Sequence, residues 1–365
     1  MKTEFKDGVL TFFPVGRINS DNVNEFETQV RSELYLYDEA DIAFDMENLG
    51  YISSAGLRAM LKLMKREKRP FRVYNVSDEL FEIFSVTGFT ELFDVERSMR
   101  RISLKGCKRV SSALNGEIFS LSEDEVIKVY GRNIPLSEIK KERNYAQTAL
   151  VAGIPTLIPY DVVSCEYGYG IVYEKAGNES LAHAVMVKPD ALEWYAVLFA
   201  DLMKEIHLAE IPEDKLPDIK ERYRGWIEEL GDENDIRTKT FSTLIDTIPD
   251  RNNYVHGDIN LNSIMIKDGE LLLFDMAGSA RGHGLFDLQS VFAYLVGIEK
   301  IEPGYCRRNF GLSGESCMRF WKAFFTEYMS GKSKEEITKM NELLLKYSVL
   351  KKQVLDKIEV KNRLG

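Results

Sequence analysis

The pattern of apolar residues changes near residue 110, and this change constrains the fold more than any other feature of the chain. Residues 1–100 alternate short β-type runs with segments whose apolar side chains recur at helical spacing. From about residue 110 the chain begins with hairpin-like strands and then becomes mostly helical. The two patterns predict two folding units of different class.

The pattern of the first region predicts a sheet covered by helices. Strand-like runs occur at residues 8–15, 42–44 and 71–74, and helical spacing occupies the stretches between and after them. Strands that are regularly separated by helices are typical of an α/β sheet. We therefore predict an α/β domain over residues 1–100.

The second region predicts a two-lobed α+β domain over residues 111–365. Strand signals at 118–121, 126–130 and 170–173 surround a helical pattern at 136–151, which indicates a small lobe over about 111–176. A mostly helical large lobe over about 177–365 contains short strands at 263–266 and 271–274. Residues 101–110 belong to a basic stretch, which we interpret as a solvated linker.

The composition excludes several classes of protein. Of the 365 residues, 44% are hydrophobic and 29% charged, which is typical of a folded globular chain. The net charge of −10 disfavours binding to nucleic acid or to an anionic membrane. The chain contains no apolar run as long as a membrane span and no signal-peptide core at its start. The four cysteines form no Cys-x-x-Cys pair, so we expect reduced thiols and a cytoplasmic location.

Two serines follow a strand at residues 49–52 and begin an apolar helix. A serine in this place can cap the helix, because its hydroxyl accepts a hydrogen bond from an exposed N–H group. A phosphate on such a serine would also lie against free N–H groups and the positive end of the helix. The position is therefore suited either to capping or to reversible phosphorylation.

The segment Ile52-Ser53-Ser54-Ala55-Gly56-Leu57, with the later Thr87-Gly88-Phe89 turn, resembles the STAS family of anti-sigma factor antagonists. The resemblance covers roughly residues 1–100. It implies that Ser54 is a phosphorylatable serine and that the domain binds an anti-sigma factor or a related regulator. Ser53 and Asn19 stand where the family often has aspartates, which removes two carboxylates from that surface.

Two aspartates in the second region are spaced in a way that suits phosphoryl transfer. His256-Gly257-Asp258 precedes a short strand, and the strand after it ends directly before Asp275. A hairpin of this kind can bring both carboxylates to one bound nucleotide. Phosphoryl transfer needs a base for the acceptor hydroxyl, oxygen ligands for magnesium and a lysine for the phosphates, as protein kinases illustrate.

These residues resemble the aminoglycoside phosphotransferase and choline kinase branch of the kinase-like superfamily. The branch has His-Gly-Asp-x-x-x-x-Asn, followed by an aspartate with a later Gly-x-x-x-x-Asp, which Gly282 and Asp287 match. The resemblance covers about residues 110–310. It implies ATP and Mg²⁺ as cofactors, Asp258 as catalytic base, Asp275 as a magnesium ligand and a structural role for Asp287.

The upstream parts of the same branch also occur in order. Lys128 lies in an apolar strand and is expected to bind the nucleotide phosphates, with Glu138 or Glu142 as its partner and Glu142 at the better spacing. Glu174 ends the strand that resembles the entry to the interlobe hinge, where adenine would bind. His207 precedes the catalytic loop and resembles a packed structural histidine.

Two supporting parts differ from the family pattern. Ser263 occupies the position of the magnesium-binding asparagine, so the hydroxyl of Ser263 or the neighbouring Asn262 would have to serve as the ligand. The loop expected over the phosphates retains a single glycine, Gly116, where backbone N–H groups should approach phosphate.

Three functions are compatible with these residues. The first is a STAS-regulated phosphotransferase that acts on an alcohol or amine group of a small molecule or protein, with Ser54 as one candidate acceptor. The second is a catalytically impaired, nucleotide-binding adaptor that acts as an anti-sigma factor antagonist. The third, phosphorylation of an antibiotic, ranks last because a fused STAS domain suits regulation better than drug inactivation.

Overall fold

The chain divides into two compact units, Met1–Arg100 and Arg101–Gly365. The computed structural model describes residues 1–37, 39–69, 71–113, 116–177, 179–230 and 236–364. Each unit has its own buried core, and each is described separately below.

The first unit is built on a five-stranded sheet with the order β1-β2-β4-β6-β7. Its elements are β1 (Lys2–Lys6), β2 (Val9–Phe13), β3 (Gly16–Ile18), α1 (Val23–Leu36), β4 (Asp41–Asp45), β5 (Leu49–Ile52), α2 (Ser54–Glu67), β6 (Arg72–Val76), α3 (Asp78–Val86) and β7 (Asp94–Arg97). Strands β1 and β2 are antiparallel, and the other neighbours in the sheet are parallel. A separate short parallel pair joins β3 and β5.

Aromatic side chains fill the core of this first unit. Phe12 lies in β2, Phe44 in β4 and Phe71 directly before β6. The ring centroids of Phe12 and Phe44 are 5.0 Å apart, and those of Phe44 and Phe71 are 5.3 Å apart. Helix α1 packs onto this layer with Phe26 and Val30, both buried. Burying apolar area at this density is the main stabilising contribution to such a unit. The α/β class predicted from the sequence is confirmed.

The second unit begins with a small lobe made of an antiparallel sheet and one long helix. Its elements are β8 (Lys108–Ala113), β9 (Gly116–Ser120), β10 (Glu125–Tyr130), α4 (Leu136–Val151), β11 (Pro159–Cys165) and β12 (Gly168–Glu174). The strand order is β11-β12-β10-β9-β8, so β10 lies in the middle of the sheet. Both edges of β10 are therefore paired, with β9 and β12, and its residues from Val126 to Tyr130 are all buried.

Residues 101–107 pack onto the small lobe, which differs from the solvated linker that the sequence predicts. Leu104 is buried against Ile127 and Val129 on the outer face of the sheet. Its N–H donates to a carboxylate oxygen of Glu166 at 3.0 Å, and the hydroxyl of Ser103 donates to the other oxygen at 2.5 Å. The sequence pattern does not reveal the burial of Leu104, because a single leucine among basic residues produces no periodic signal.

The large lobe is mostly helical, as predicted. Its helices are α5 (Leu181–Val187), α6 (Leu192–Ile206), α7 (Ile219–Leu230), α8 (Ile236–Asp246), α9 (Leu285–Phe292), α10 (Ile298–Ile301), α11 (Tyr305–Phe310), α12 (Gly314–Tyr328) and α13 (Lys334–Leu364). Its strands form two antiparallel pairs, β13 (Asn253–Val255) with β16 (Ala280–Gly282), and β14 (Ile264–Lys267) with β15 (Glu270–Leu273). A π-helical turn, Ala293–Gly297, connects α9 to α10.

Within the described ranges, none of the helices combines the length and the apolar character needed to cross a membrane.

Gly116 tests the packing of the small-lobe sheet. A Cβ atom at Gly116 would lie 2.2 Å from the carbonyl oxygen of Val129 on the neighbouring strand, so the backbone of β10 leaves no room for a side chain. We predict that Gly116→Ala lowers the free energy of unfolding by about 1–3 kcal/mol, measured by urea unfolding. The control is Gly225→Ala in α7, where nothing lies within 4 Å and alanine should stabilise the helix by up to about 1 kcal/mol. Equal stability of Gly116→Ala and wild type would contradict this packing.

Candidate active site

Lys128 lies in the interior of the second unit, with 0% of its surface exposed. Lysine is almost never buried to this extent unless its charge is paired. The Nζ atom lies 2.7 Å from Oε1 of Glu142 on α4 and 2.5 Å from Oδ1 of Asp275, just after β15. Glu138, the alternative partner, pairs instead with Lys141 on the exposed side of α4. One ammonium group thus connects the sheet and helix of the small lobe to the large lobe.

The charges of this cluster shift one another. Burial acts to lower the pKa of Lys128, but the carboxylates of Asp275 and Glu142 outweigh it and raise that pKa above its ordinary value. Burial dominates at Glu142 and raises its pKa, although the Lys128 ammonium opposes the shift. Burial also acts to raise the pKa of Asp275, yet Lys128 outweighs it and lowers that pKa. Asp275 is therefore ionised at neutral pH, as a metal ligand has to be.

The backbone of Asp275 is held in an uncommon conformation. Its φ angle of 62° lies in the left-handed region, which costs a residue with a Cβ atom on the order of 1–3 kcal/mol. Two hydrogen bonds hold the preceding Phe274, one from its N–H to the carbonyl of Ser263 at 2.8 Å and one between its carbonyl and Nε2 of His256 at 2.9 Å. These bonds tie Asp275 to the loop that carries Asp258.

Asp258 lies in the loop between β13 and β14, and its carboxylate has two donors. The hydroxyl of Tyr294, in the π-helical turn, donates to Oδ1 at 2.7 Å, and the ammonium of Lys351, in α13, bonds to the same oxygen. Lys351 is 3% exposed and Asp258 retains 28% of its side-chain surface. The carboxylate is thus held in place through its Oδ1 atom, while part of its surface remains exposed to solvent.

Asp287 organises the backbone of the Asp258 loop. Its carboxylate accepts hydrogen bonds from the N–H groups of His256 and Gly257, each at 2.7 Å, and lies 3.1 Å from Nε2 of His207. Burial acts to raise the pKa of Asp287, but the hydrogen bond and charge of His207 lead the effects that outweigh it and lower that pKa. Nδ1 of His207 lies 2.9 Å from the hydroxyl of Tyr328. These contacts fit the structural roles expected for Asp287 and His207.

Asp258 and Asp275 line one cavity of about 420 Å³. The small lobe contributes Val110 and Ile118 to its wall, and helices α11 and α13 contribute charged residues on the other side. A cavity of this size is within the usual range for small-molecule sites. The hairpin predicted to deliver both carboxylates to one place does so.

The proposed magnesium ligands also line this cavity, but each has another task. The hydroxyl of Ser263 donates to the carbonyl of Asn260 and accepts from its N–H, both at 2.9 Å. The side-chain amide of Asn262 donates to the carbonyl of Asn309 at 2.8 Å. A metal could still be bound by the remaining lone pair of the Ser263 hydroxyl or by the side-chain amide oxygen of Asn262. Their role as ligands stays a prediction.

No group of three or more His, Cys, Asp or Glu side chains within the described residues could hold a metal ion alone. This arrangement fits Mg²⁺ in a nucleotide site, because Mg²⁺ is commonly held by one or two carboxylates together with substrate phosphates and water. Asp275, ionised and partly accessible, is the carboxylate best suited to that task. The residues present therefore fit a metal that arrives with a nucleotide.

Two further predicted residues of the second unit, Gly116 and Glu174, are not among the residues that line the cavity. Gly116 faces the backbone of β10, and the tip of its loop, residues 114–115, lies outside the described residues. Glu174 accepts hydrogen bonds from Ile158 N–H at 3.0 Å and from Lys267, so its side chain anchors the end of β12. In the first unit Ser53 caps α2, accepting from Gly56 N–H at 3.3 Å, and Ser54 is the exposed first residue of the helix. Their binding and phosphorylation roles stay predictions.

Sequence reasoning missed Tyr294 and Lys351, the two donors to Asp258. Lys351 falls on the same helical face of α13 as the buried residues Leu344, Tyr347 and Ser348. A lysine inside an apolar stripe is the signal that could have identified it, because an ammonium group in that place needs a buried partner.

Comparisons with known proteins agree with the division into two units. Residues 1–102 match the STAS domain family. A Bordetella bronchiseptica protein named as an anti-sigma factor antagonist, BtrV, is 30% identical over 95 residues, which cover 25% of this chain and 81% of BtrV. The chain belongs to the STAS family through this first unit.

Solved structures similar to the second unit include two kinase-like proteins. One is a choline/ethanolamine kinase family protein from Mesorhizobium loti, with 12% identity, a TM-score of 0.47, and coverage of 71% of this chain and 82% of that one. Another is an aminoglycoside phosphotransferase from Streptomyces rimosus, with 15% identity, a TM-score of 0.42, and coverage of 75% and 99%. At these identities the likeness concerns the fold alone.

Asp287→Asn tests the support of the Asp258 loop. An amide would turn one accepting oxygen into a donor that faces an N–H group, so we predict a loss of about 2–4 kcal/mol in the free energy of unfolding at pH 7. Because the folded state lowers the pKa of Asp287, its contribution is present above the ordinary carboxyl pKa of about 4 and is lost as the pH falls below it. The difference between variant and wild type, measured by urea unfolding, should therefore shrink on acidification below about pH 4.

The matched control is Asp201→Asn, since Asp201 pairs with Lys204 on the exposed face of α6. This change should alter stability by less than about 1 kcal/mol. An Asp287→Asn protein no less stable than Asp201→Asn would show that Asp287 does not hold the loop.

Proposed function

We propose that the second unit is an ATP- and Mg²⁺-dependent phosphotransferase that is regulated by the STAS unit. One observation carries the proposal: Asp258 and Asp275 line the same cavity, and Asp275 is bonded to a buried lysine–glutamate pair. A fully buried lysine is thus bonded to one of two partly accessible carboxylates that line the same cavity. Phosphoryl transfer requires that combination of charge and position.

In this proposal each residue has one task. The Lys128 ammonium binds nucleotide phosphate oxygens, and Glu142 keeps it extended. Asp275 holds Mg²⁺, with Ser263 or Asn262 as a further oxygen ligand, and bound Mg²⁺ neutralises charge on the phosphates. The acceptor oxygen forms a bond to the γ-phosphorus, the bond from that phosphorus to ADP breaks, and the hydroxyl proton passes to Asp258.

The Lys128–Asp275 bond has a consequence for nucleotide binding. Both groups contact each other in the structure, while the proposal requires one to face phosphate and the other to face metal. Phosphate that draws Lys128 away from Asp275 would leave that carboxylate without its cation unless Mg²⁺ binds it, whereas Lys128 keeps Glu142 as a partner. We expect ATP without Mg²⁺ to bind more weakly than the two together.

The STAS unit supports a regulatory setting for this chemistry. Ser54 is exposed at the start of α2, where a phosphate would be stabilised by free N–H groups. We propose Ser54 as a candidate acceptor, in the same chain or in another copy, and an anti-sigma factor or related protein as the partner of the STAS unit. The cytoplasmic location expected from the sequence belongs to the same proposal.

A second candidate is a nucleotide-sensing adaptor without turnover. The observation that favours it is the engagement of the supporting groups, because Ser263 is bonded within its own loop and Oδ1 of Asp258 already has two donors. Such a protein would bind ATP and transmit its presence through the STAS unit. Turnover that depends on Asp258 would eliminate this candidate.

Turnover separates these two functions. The measurement is ADP formation by the full chain with ATP and Mg²⁺, together with the thermal shift caused by the nucleotide. We predict that Asp258→Asn lowers turnover at least about 100-fold while retaining the shift, because a base contributes to the chemical step rather than to binding. Asp275→Asn should instead lose the part of the shift that depends on Mg²⁺. Wild-type binding with no turnover would favour the adaptor.

Transfer of a labelled phosphate tests whether Ser54 is a phosphate acceptor. With ATP labelled on the γ-phosphate, wild type should incorporate label and Ser54→Ala should not. Ser53→Ala is the matched control, because it removes the neighbouring hydroxyl and a cap worth about 1 kcal/mol but leaves Ser54 in place. Equal labelling of Ser54→Ala and wild type would show that the phosphate goes elsewhere.

A further inference from the structure

Lys351 is held more firmly than a surface lysine could be. Its ammonium bonds to Asp258 and lies 5.5 Å from the ring centre of Trp226 and 5.2 Å from that of Tyr294. Aromatic faces attract a cation that water does not reach. Lys352, the next residue, instead lines the cavity and pairs with Glu302 and Asp356.

The docking of α13 fixes the position of Lys351. A Cβ atom at Gly297 would lie 2.3 Å from Cβ of Ser348, so the glycine allows α13 to lie directly on the π-helical turn. That turn also supplies Tyr294, whose hydroxyl donates to the same oxygen of Asp258. Single π-helical turns inside α-helices are rare and occur frequently at functional sites. The helix, the turn and the carboxylate therefore form one rigid assembly.

Every carboxylate that lines the cavity in the described part of the chain has a cationic partner. Asp275 is bonded to Lys128 and Asp258 to Lys351. The other two cavity carboxylates, Glu302 and Asp356, are paired with Arg308 and Lys352. A polycationic acceptor would need uncompensated carboxylates, which this wall does not offer.

We propose that Lys351 is the fixed counter-ion of Asp258. The reacting group of the acceptor is consequently an uncharged hydroxyl, with no ammonium group of the acceptor beside it. The proposal rests on the phosphotransferase function proposed above. Lys351 acts through Asp258 and is a positioning residue. An ammonium group on the acceptor would meet Lys351 across a single carboxylate, and like charges at that separation repel. A serine hydroxyl or a sugar hydroxyl meets no such repulsion.

Binding of cations tests the proposal without any need for turnover. The probes are kanamycin, a polycation, and choline, a monocation, titrated calorimetrically into the full chain with a non-hydrolysable ATP analogue and Mg²⁺. Wild type should bind both only at millimolar concentrations. Lys351→Met leaves the charge of Asp258 uncompensated and should bind kanamycin at least tenfold more tightly. The double variant Lys351→Met/Asp258→Asn should lose this gain.

Lys346→Met is the matched control, because Lys346 is an exposed residue of the same helix and its removal changes the net charge equally. It should bind the probes like wild type. Lys351→Arg, which keeps the charge, should also keep the weak binding. Micromolar binding of kanamycin to wild type that Asp258→Asn weakens, or no gain in Lys351→Met over Lys346→Met, would overturn the proposal.

Two further readouts keep the outcomes distinct. If Lys351→Met does not fold, the comparison of wild type with Asp258→Asn still decides the matter, because weak and equal kanamycin binding by both supports a compensated Asp258. ADP formation and the nucleotide thermal shift report separately on the phosphotransferase function. A protein that binds nucleotide but never turns over would reject that function, whereas tight kanamycin binding by wild type would reject the counter-ion role alone.

Discussion

The ammonium group of Lys128 lies where water cannot solvate it, and much of the second unit is arranged around that fact. An isolated buried ammonium would cost several kcal/mol, so Glu142 and Asp275 must both remain within bonding distance. These partners belong to α4 and to the segment after β15, so the charge joins the sheet, its helix and the large lobe. The left-handed conformation of Asp275 is maintained because the same bond and the hydrogen bonds around Phe274 hold it.

A second buried lysine repeats this principle on the other side of the cavity. Lys351 does for Asp258 what Lys128 does for Asp275, but it reaches the carboxylate from the long C-terminal helix rather than from the small lobe. Each of the two aspartates thus has a fixed cationic partner, and they differ in what surrounds them. Asp275 is bonded to Lys128 of the small lobe. Asp258 is bonded to Lys351 of α13 and lines the cavity together with residues of α11.

Much of the site could be predicted from the sequence because its motifs are short and ordered. His256-Gly257-Asp258 and the aspartate that follows β15 lie within one hairpin, so local strand signals bring them together. Lys128 and Glu142 are 14 residues apart on a strand and the helix after it, and the spacing typical of the kinase-like family that the sequence resembles favoured Glu142 over Glu138. The packing of Leu104 was missed because a lone apolar residue among basic ones has no period. The bonding of Ser263 to its own loop was missed because that turn depends on the backbone of Asn260.

The sequence by itself determined the two units, their α/β and α+β classes and the residues that carry charge, because periodicity and motif spacing are local properties. Only the tertiary structure decided which charges meet. Lys351 and Asp258 are 93 residues apart, and they pair because Gly297 lets α13 approach the π-helical turn that also carries Tyr294. Such a contact depends on the close packing of two elements whose local patterns are both consistent with ordinary core helices. The buried ammonium group of Lys351 requires an anionic partner, and in the packed lobe Asp258 is the carboxylate that lies within bonding distance.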